Sequence, residues 1–215
     1  MPLVYCPNPM THPLEAFVRT HQSWLHEVID ALVSIESPTD DKAAVDRCGA
    51  EFRRRAAAIG MRVRVEARPD AGDHSVVEIG EGRPRILLVG HVDTVWPHGQ
   101  IARMPLVRRD GRLYGPGTLD MKVGVSMGLL ATRAVFETAR PASGTVAMLV
   151  TSDEETGSDT GTRRRTELND RLHALDRLCL RCIEGLHGRT EERWMDDRRG
   201  EQRQLQVIAA VEGQI

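Results

Sequence analysis

Apolar residues recur mostly at three-to-four spacing from Pro13 to Ile35 (Leu14, Phe17, Val18, Trp24, Leu25, Val28, Ile29, Leu32 and Val33), which predicts an amphipathic helix. Ser37-Pro38-Thr39-Asp40 supplies a breaker and an N-cap for a second helix, Lys42 to Ile59, stopped by Gly60. Met61 to Ala67 alternates Met, Val, Val and Ala with arginines and Glu66, the pattern of a half-buried strand. Val76 to Ile79 predicts a short strand. Arg85 to Gly90 is a continuous apolar run behind its arginine, expected of a strand covered on both faces by helices. Pro105 to Tyr114, centred on Arg109-Asp110-Gly111, predicts a small hairpin with an Asp-Gly turn. Met121 to Arg140 reads as a long helix ended before Pro141, and Gly144 to Val150 as a second central strand. Helices alternating with buried strands predict an α/β layered domain.

The pattern degrades after Ser158. Arg163 to Gly185 has helical content, but Arg171, Arg177 and Arg181 sit among its leucines without a clean polar face. Glu191 to Gln206 is dense in alternating charge, and the next strand-like run is Val207 to Val211. Composition sharpens this division. Lys42 and Lys122 are the only lysines, and residues 159–215 hold 11 of the 27 arginines but one of the eight aromatics, Trp194. Two regions are therefore expected: a conventional α/β segment over 1–158 and an Arg-rich tail over 159–215.

Charge and cysteines exclude several classes. A formal net charge of −2 gives no electrostatic reason to expect nucleic acid or an anionic membrane as partner. Arg163-Arg164-Arg165 is neutralised by nearby acids and has no interleaved aromatic. The longest apolar runs fall far short of the roughly 20 residues that span a bilayer. The start, Met1 to Met10, is broken by prolines and lacks a basic segment followed by an apolar one, so a cytoplasmic location is expected. Cys6, Cys48, Cys179 and Cys182 are too few and too scattered for a disulfide framework. Cys179-x-x-Cys182, between His173 and His187, lacks the paired spacing of a zinc knuckle.

Three clusters carry chemistry. Gly90-His91-Val92-Asp93-Thr94 follows the first buried strand, and side chains two apart in extended backbone share a side, so His91 and Asp93 face one crevice. A metal-binding imidazole gives its second N–H to a carboxylate, which His-x-Asp provides; a hydrogen-bonded surface pair is the alternative. Tyr114-Gly115-Pro116-Gly117 is a tight turn that delivers Asp120 to the start of the long helix, as a ligand or as an N-cap. Thr151-Ser152-Asp153-Glu154-Glu155-Thr156-Gly157 follows the second central strand, as a solvated acidic loop or as a ligand beside a proton-handling carboxylate. Carboxylates with imidazole suit Zn2+ or a similar divalent ion.

Taken together and in this order, the three motifs resemble the M20 family of metallopeptidases, most closely its glutamate carboxypeptidase (carboxypeptidase G2-like) branch, from about Leu14 to Ser158. Val123 departs from the pattern, since many relatives carry glycine after the lysine. The resemblance implies a three-layer α/β zinc-peptidase-like catalytic domain with a largely buried mixed sheet. It implies two Zn2+ ions and hydrolysis of a C-terminal peptide or N-acyl amide bond in a small peptide or N-acyl amino acid. His91 is implied as a ligand of one zinc, oriented by Asp93. Asp120 is implied as the bridge between both metals, Glu155 as a ligand of the second, and Glu154 as the general base.

The family pattern also asks for a further acidic ligand, a late histidine and an inserted lid and dimerisation domain, for which 215 residues leave no room. Glu184 or Asp176, and His187 or His173, are available as substitutes without a motif to support them. The rise in arginine is what a shift of reading frame in GC-rich coding produces, and such a shift is expected near residue 159. The competing expectation to an active hydrolase is therefore a catalytically inactive truncated remnant that binds metal weakly or not at all.

Overall fold

A computed structural model of the chain describes residues 13–82, 84–138 and 144–170. The apolar spacing between Pro13 and Ile35 is carried by two helices, α1 (Pro13–Thr20) and α2 (Gln22–Val33), because His21 leaves helical geometry at φ −108° and ψ 16°. The His21 ring closes the break by stacking on Phe17, with its Nδ1 2.8 Å from the Phe17 carbonyl. Arg133 of a later helix lies over the rings of both Phe17 and Trp24, tying the pair to the rest of the fold.

Helix α3 (Lys42–Ala58) starts at Lys42 as expected, but its cap is one residue later than Asp40. Asp41, rather than Asp40, accepts from the Ala44 amide, and Lys42 follows as the first helical residue. Strand β1 (Arg62–Glu66) pairs antiparallel with β2 (His74–Glu81), which pairs antiparallel with β6 (Gly144–Thr151), and β6 runs parallel to β3 (Pro84–His91). The order β1-β2-β6-β3 makes the sheet mixed, as expected. Between β3 and β6 lie a short helix α4 (Gln100–Arg103), the hairpin β4–β5 (Val107–Arg109, Arg112–Tyr114) and helix α5 (Val123–Thr138). The hairpin turns on Asp110 and Gly111 at φ 54° and 68°, the paired positive values an Asp-Gly two-residue turn requires.

The three layers follow from side-chain alternation. Val77, Met148, Val150 and Leu88 point to the face covered by α2, α3 and α5, where Val28, Leu32, Val45, Cys48, Phe52, Val125 and Leu129 complete the main core. Val76, Leu149 and Leu87 point to the opposite face, where Leu168 meets them from a helix, here α6, over residues 159–170. Ordered helix thus continues past Ser158. Among the described strands only β6 is buried along its whole length. Strand β3 was expected to be covered on both faces, but among the described residues it is an edge strand, with Ile86 and Val89 exposed. Strand β1 is the other edge, and its Val63 and Val65 are also exposed rather than half-buried. No described helix is long and apolar enough to cross a membrane. The sequence features at Cys179, Cys182, His173, Asp176, Glu184, His187 and Val207 to Val211 lie outside the described residues.

Candidate metal centre

Parallel pairing of β3 with β6 brings two carboxyl ends to one edge of the sheet, with His91 opposite Thr151 and the Val92 amide donating to the Thr151 carbonyl. The segments after these strands, His91 to Asp93 and Ser152 to Glu155, therefore leave side by side. The loop before α3 closes over them: Ser37 donates to the Val92 carbonyl at 2.7 Å and accepts the Thr94 amide through its own carbonyl.

His91 is buried at the centre. Its Nδ1 lies 3.1 Å from the Asp93 carbonyl oxygen and 3.3 Å from Asp93 Oδ1, and its Nε2 lies 2.9 Å from Asp120 Oδ1 and 3.9 Å from Glu154 Oε2. Nε2 of His91 and carboxylate oxygens of Glu154 and Glu155 fall in a group whose ligand atoms all lie within 4.8 Å of one another. All five residues singled out from the sequence thus meet at one place.

Asp93 is fully buried and holds three parts together. Its Oδ2 accepts from the Thr39 hydroxyl at 2.9 Å and from the Glu155 amide at 3.2 Å, while the other oxygen faces His91. Asp93 therefore lies against the imidazole and also holds the backbone of Glu155. Thr39, read from the sequence only as part of a helix-breaking turn, is a member of the site through this bond. The 54 residues that separate it from Asp93 explain why local pattern does not reveal it.

Asp120 stands differently from expectation. It is not the N-cap of the long helix: its φ −127° and ψ 99° are extended, and α5 begins only at Val123. Its side chain is 69% exposed, so it reaches His91 from the solvent side. Lys122, two residues on, is buried and donates to the Ile35 carbonyl at 2.6 Å. Burial holds the Lys122 ammonium below the ordinary lysine range. The three consecutive acids also divide. Asp153 is buried and bonded to Thr160, whereas Glu154 is exposed and Glu155 half-buried. His98 pairs with Asp41 at 2.8 Å, and Trp24 packs against the main core, so both stay outside the site.

The electrostatics have one direction. Burial disfavours a charged His91, but Asp93, Asp120 and Glu154 outweigh it and raise the imidazole to about 9. Burial also works against the Asp93 carboxylate, yet its bond to His91 keeps it below the ordinary aspartate range. Glu155 is pushed up, first by burial and then by Asp120, Asp93 and Glu154, with His91 opposing. Four carboxylates around one imidazole leave a surplus of negative charge on hard oxygen donors. A divalent cation is the partner that such a donor set fits.

The model of peptidase family M20/M25/M40 matches residues 87–196, just over half of the chain. The chain belongs to this family. The match begins inside β3, includes all five site residues and runs beyond Ser158. The chain is 34% identical over 130 residues to a succinyl-diaminopimelate desuccinylase of Parvibaculum lavamentivorans, covering 58% of this chain and 31% of that protein. It is 31% identical over 135 residues to carboxypeptidase G2 of a Pseudomonas species, covering 61% and 32%. The M20 chain thus spans about a third of the length of these curated relatives. Its fold is similar to that of human carnosine dipeptidase 1, with a TM-score of 0.61 at 21% identity over 77% of this chain and 40% of the other.

Proposed function

We propose that this M20 chain supplies the ligands and general base of a zinc-dependent hydrolase that cleaves a C-terminal peptide bond or an N-acyl amide. The observation that carries the reading is the gathering of His91, Glu154 and Glu155 with ligand atoms within 4.8 Å of one another, with Asp120 2.9 Å from His91 and a buried Asp93 behind it. Relatives named as a carboxypeptidase and as a desuccinylase support the same class of substrate, a small peptide or N-acyl amino acid.

His91, Asp120 and Glu155 would hold the cation, and Asp93 would keep the His91 ring turned toward it. When bound, a divalent cation supplies polarisation of the scissile carbonyl and acidification of water. Glu154, exposed at the mouth of the site, takes a proton from the attacking water and delivers it to the departing nitrogen. Its exposure keeps the carboxyl free to exchange protons, a role that the half-buried Glu155, bonded through its amide to Asp93, is less suited to.

The test is to measure zinc content and hydrolysis of an acyl-glutamate by the chain and by Glu154→Gln. The expected outcome is zinc bound by both proteins, with turnover falling about 100- to 10,000-fold in the variant. Retained turnover in Glu154→Gln contradicts the base assignment. Substoichiometric zinc with no turnover in the unsubstituted chain favours a catalytically inactive remnant instead.

A further inference from the structure

The turn that carries Glu154 and Glu155 leaves β6 at Ser152 and re-enters helix at residue 159, and one histidine from another strand joins its two ends. His74 opens β2 and is fully buried. Its Nδ1 is hydrogen-bonded to Ser152 Oγ at 2.9 Å, and its Nε2 to Thr160 Oγ1 at 2.9 Å. The Ser152 hydroxyl donates its own proton to the Gly72 carbonyl, which makes Nδ1 the donor toward Ser152. The Thr160 hydroxyl donates to Asp153 Oδ2 at 2.6 Å, so the same oxygen faces both the carboxylate and the His74 ring.

Asp153 depends on this arrangement. Its Oδ2 accepts from both the Thr160 hydroxyl and the Thr160 amide, at 2.6 and 3.0 Å, while its buried Oδ1 has no hydrogen-bond partner. The Asp153 carbonyl in turn accepts from the Ser158 amide at 2.8 Å and from the Thr156 hydroxyl at 3.2 Å. These bonds lead back to Ser152, Asp153 or Thr160, and His74 touches the first and the last; the Glu155 amide on Asp93 Oδ2 and the Gly157 amide on the Glu154 carbonyl hold the turn alongside them. Gly161 lets the helix close this tightly, since a Cβ there would stand 2.5 Å from Ser158 Oγ and 3.1 Å from Asp153 Oδ1. No hydrogen bond joins His74 to either glutamate. An apolar ring would fill the same space without the cost of desolvating an imidazole, so the polar network specifies a geometry rather than adding stability.

We propose that His74 is a positioning residue for the candidate metal centre, bridging Ser152 and Thr160 so that Glu154 and Glu155 stand at a fixed place beside His91. The inference rests on the reading of those two glutamates as site groups.

The test uses the full chain and the variants His74→Phe, Thr160→Val and Thr160→Ser, with two measurements on each. Co2+ is titrated and followed by its visible absorption, and amide hydrogen exchange of residues 153–160 is measured without metal. His74→Phe and Thr160→Val are each expected to lower Co2+ affinity about 10- to 100-fold and to speed exchange across 153–160, with protection of the β2–β6 pairs retained. Thr160→Ser, which keeps the hydroxyl, restores both values. Where His74→Phe fails to fold by far-ultraviolet circular dichroism, the Thr160→Val and Thr160→Ser pair decides. Co2+ affinity and exchange equal to the unsubstituted chain in His74→Phe and Thr160→Val overturn the inference. An unsubstituted chain that binds no Co2+ refutes the reading of the glutamates instead, and the exchange measurement then judges His74 alone.

Discussion

Two buried regions meet across the sheet and are built on opposite terms. Beneath α2, α3 and α5, Phe52, Leu32, Val45, Leu129 and their neighbours bury mostly apolar surface. At the carboxyl ends of β3 and β6, His91, Asp93, Ser152, His74 and Asp153 are buried almost as fully, yet each is polar. The first region lowers the free energy of the chain by leaving water. The second gathers carboxylates that raise one another's energy and gains only from specific bonds and from whatever cation neutralises it. The difference assigns stability to one region and chemistry to the other.

The largest effect belongs to the apolar side. Phe52→Ala, at a fully buried position of α3, is expected to cost about 3–5 kcal/mol in urea unfolding. If the division holds, the folded fraction of this variant binds zinc with unchanged affinity. A parallel loss of affinity would show that the two regions are not separable.

The next effect is electrostatic and belongs to His91. Its folded pKa of about 9 lies above the 6.5 of an unfolded histidine, so the metal-free chain holds this contribution in full below pH 6.5. It is lost as pH rises through about 9, a change on the order of 3 kcal/mol that His91→Asn removes from the unfolding profile. Zinc competes with that proton, so zinc affinity rises over the same interval. A flat stability profile between pH 6.5 and 9 would contradict the charge assignment.

The smallest effect separates the regions by sign. The Glu155 carboxyl is raised above its ordinary value, so its ionised form is penalised on folding and its stabilising contribution disappears as pH rises through the folded pKa. Glu155→Gln is therefore expected to raise the urea midpoint of the metal-free chain slightly at neutral pH while weakening zinc. A variant that is both less stable and unaltered in zinc affinity would place Glu155 with the structural residues.

The site was more legible in the sequence than the layering around it. His91 and Asp93 alternate immediately after an apolar run, and Glu154 and Glu155 follow another, so spacing alone puts them at strand ends. An apolar run does not reveal how many of its faces are covered, which is why β3 read as central although Ile86 and Val89 are exposed. The break at His21 is hidden because the apolar period continues through it. Adjacent aspartates at 40 and 41 are equally good caps until the backbone chooses Asp41. Thr39 and His74 act across 54 and 78 residues, on Asp93 and Ser152, and no local pattern encodes such bonds.

The central claim is that the polar strand-end region is a cation site organised by His91. Equilibrium dialysis of the full chain against Zn2+, beside His91→Ala, tests it directly. The account predicts tight zinc binding by the unsubstituted chain and a fall of about 100-fold or more in the variant, with the apolar core still folded by circular dichroism. Equal zinc binding by the two proteins would contradict it.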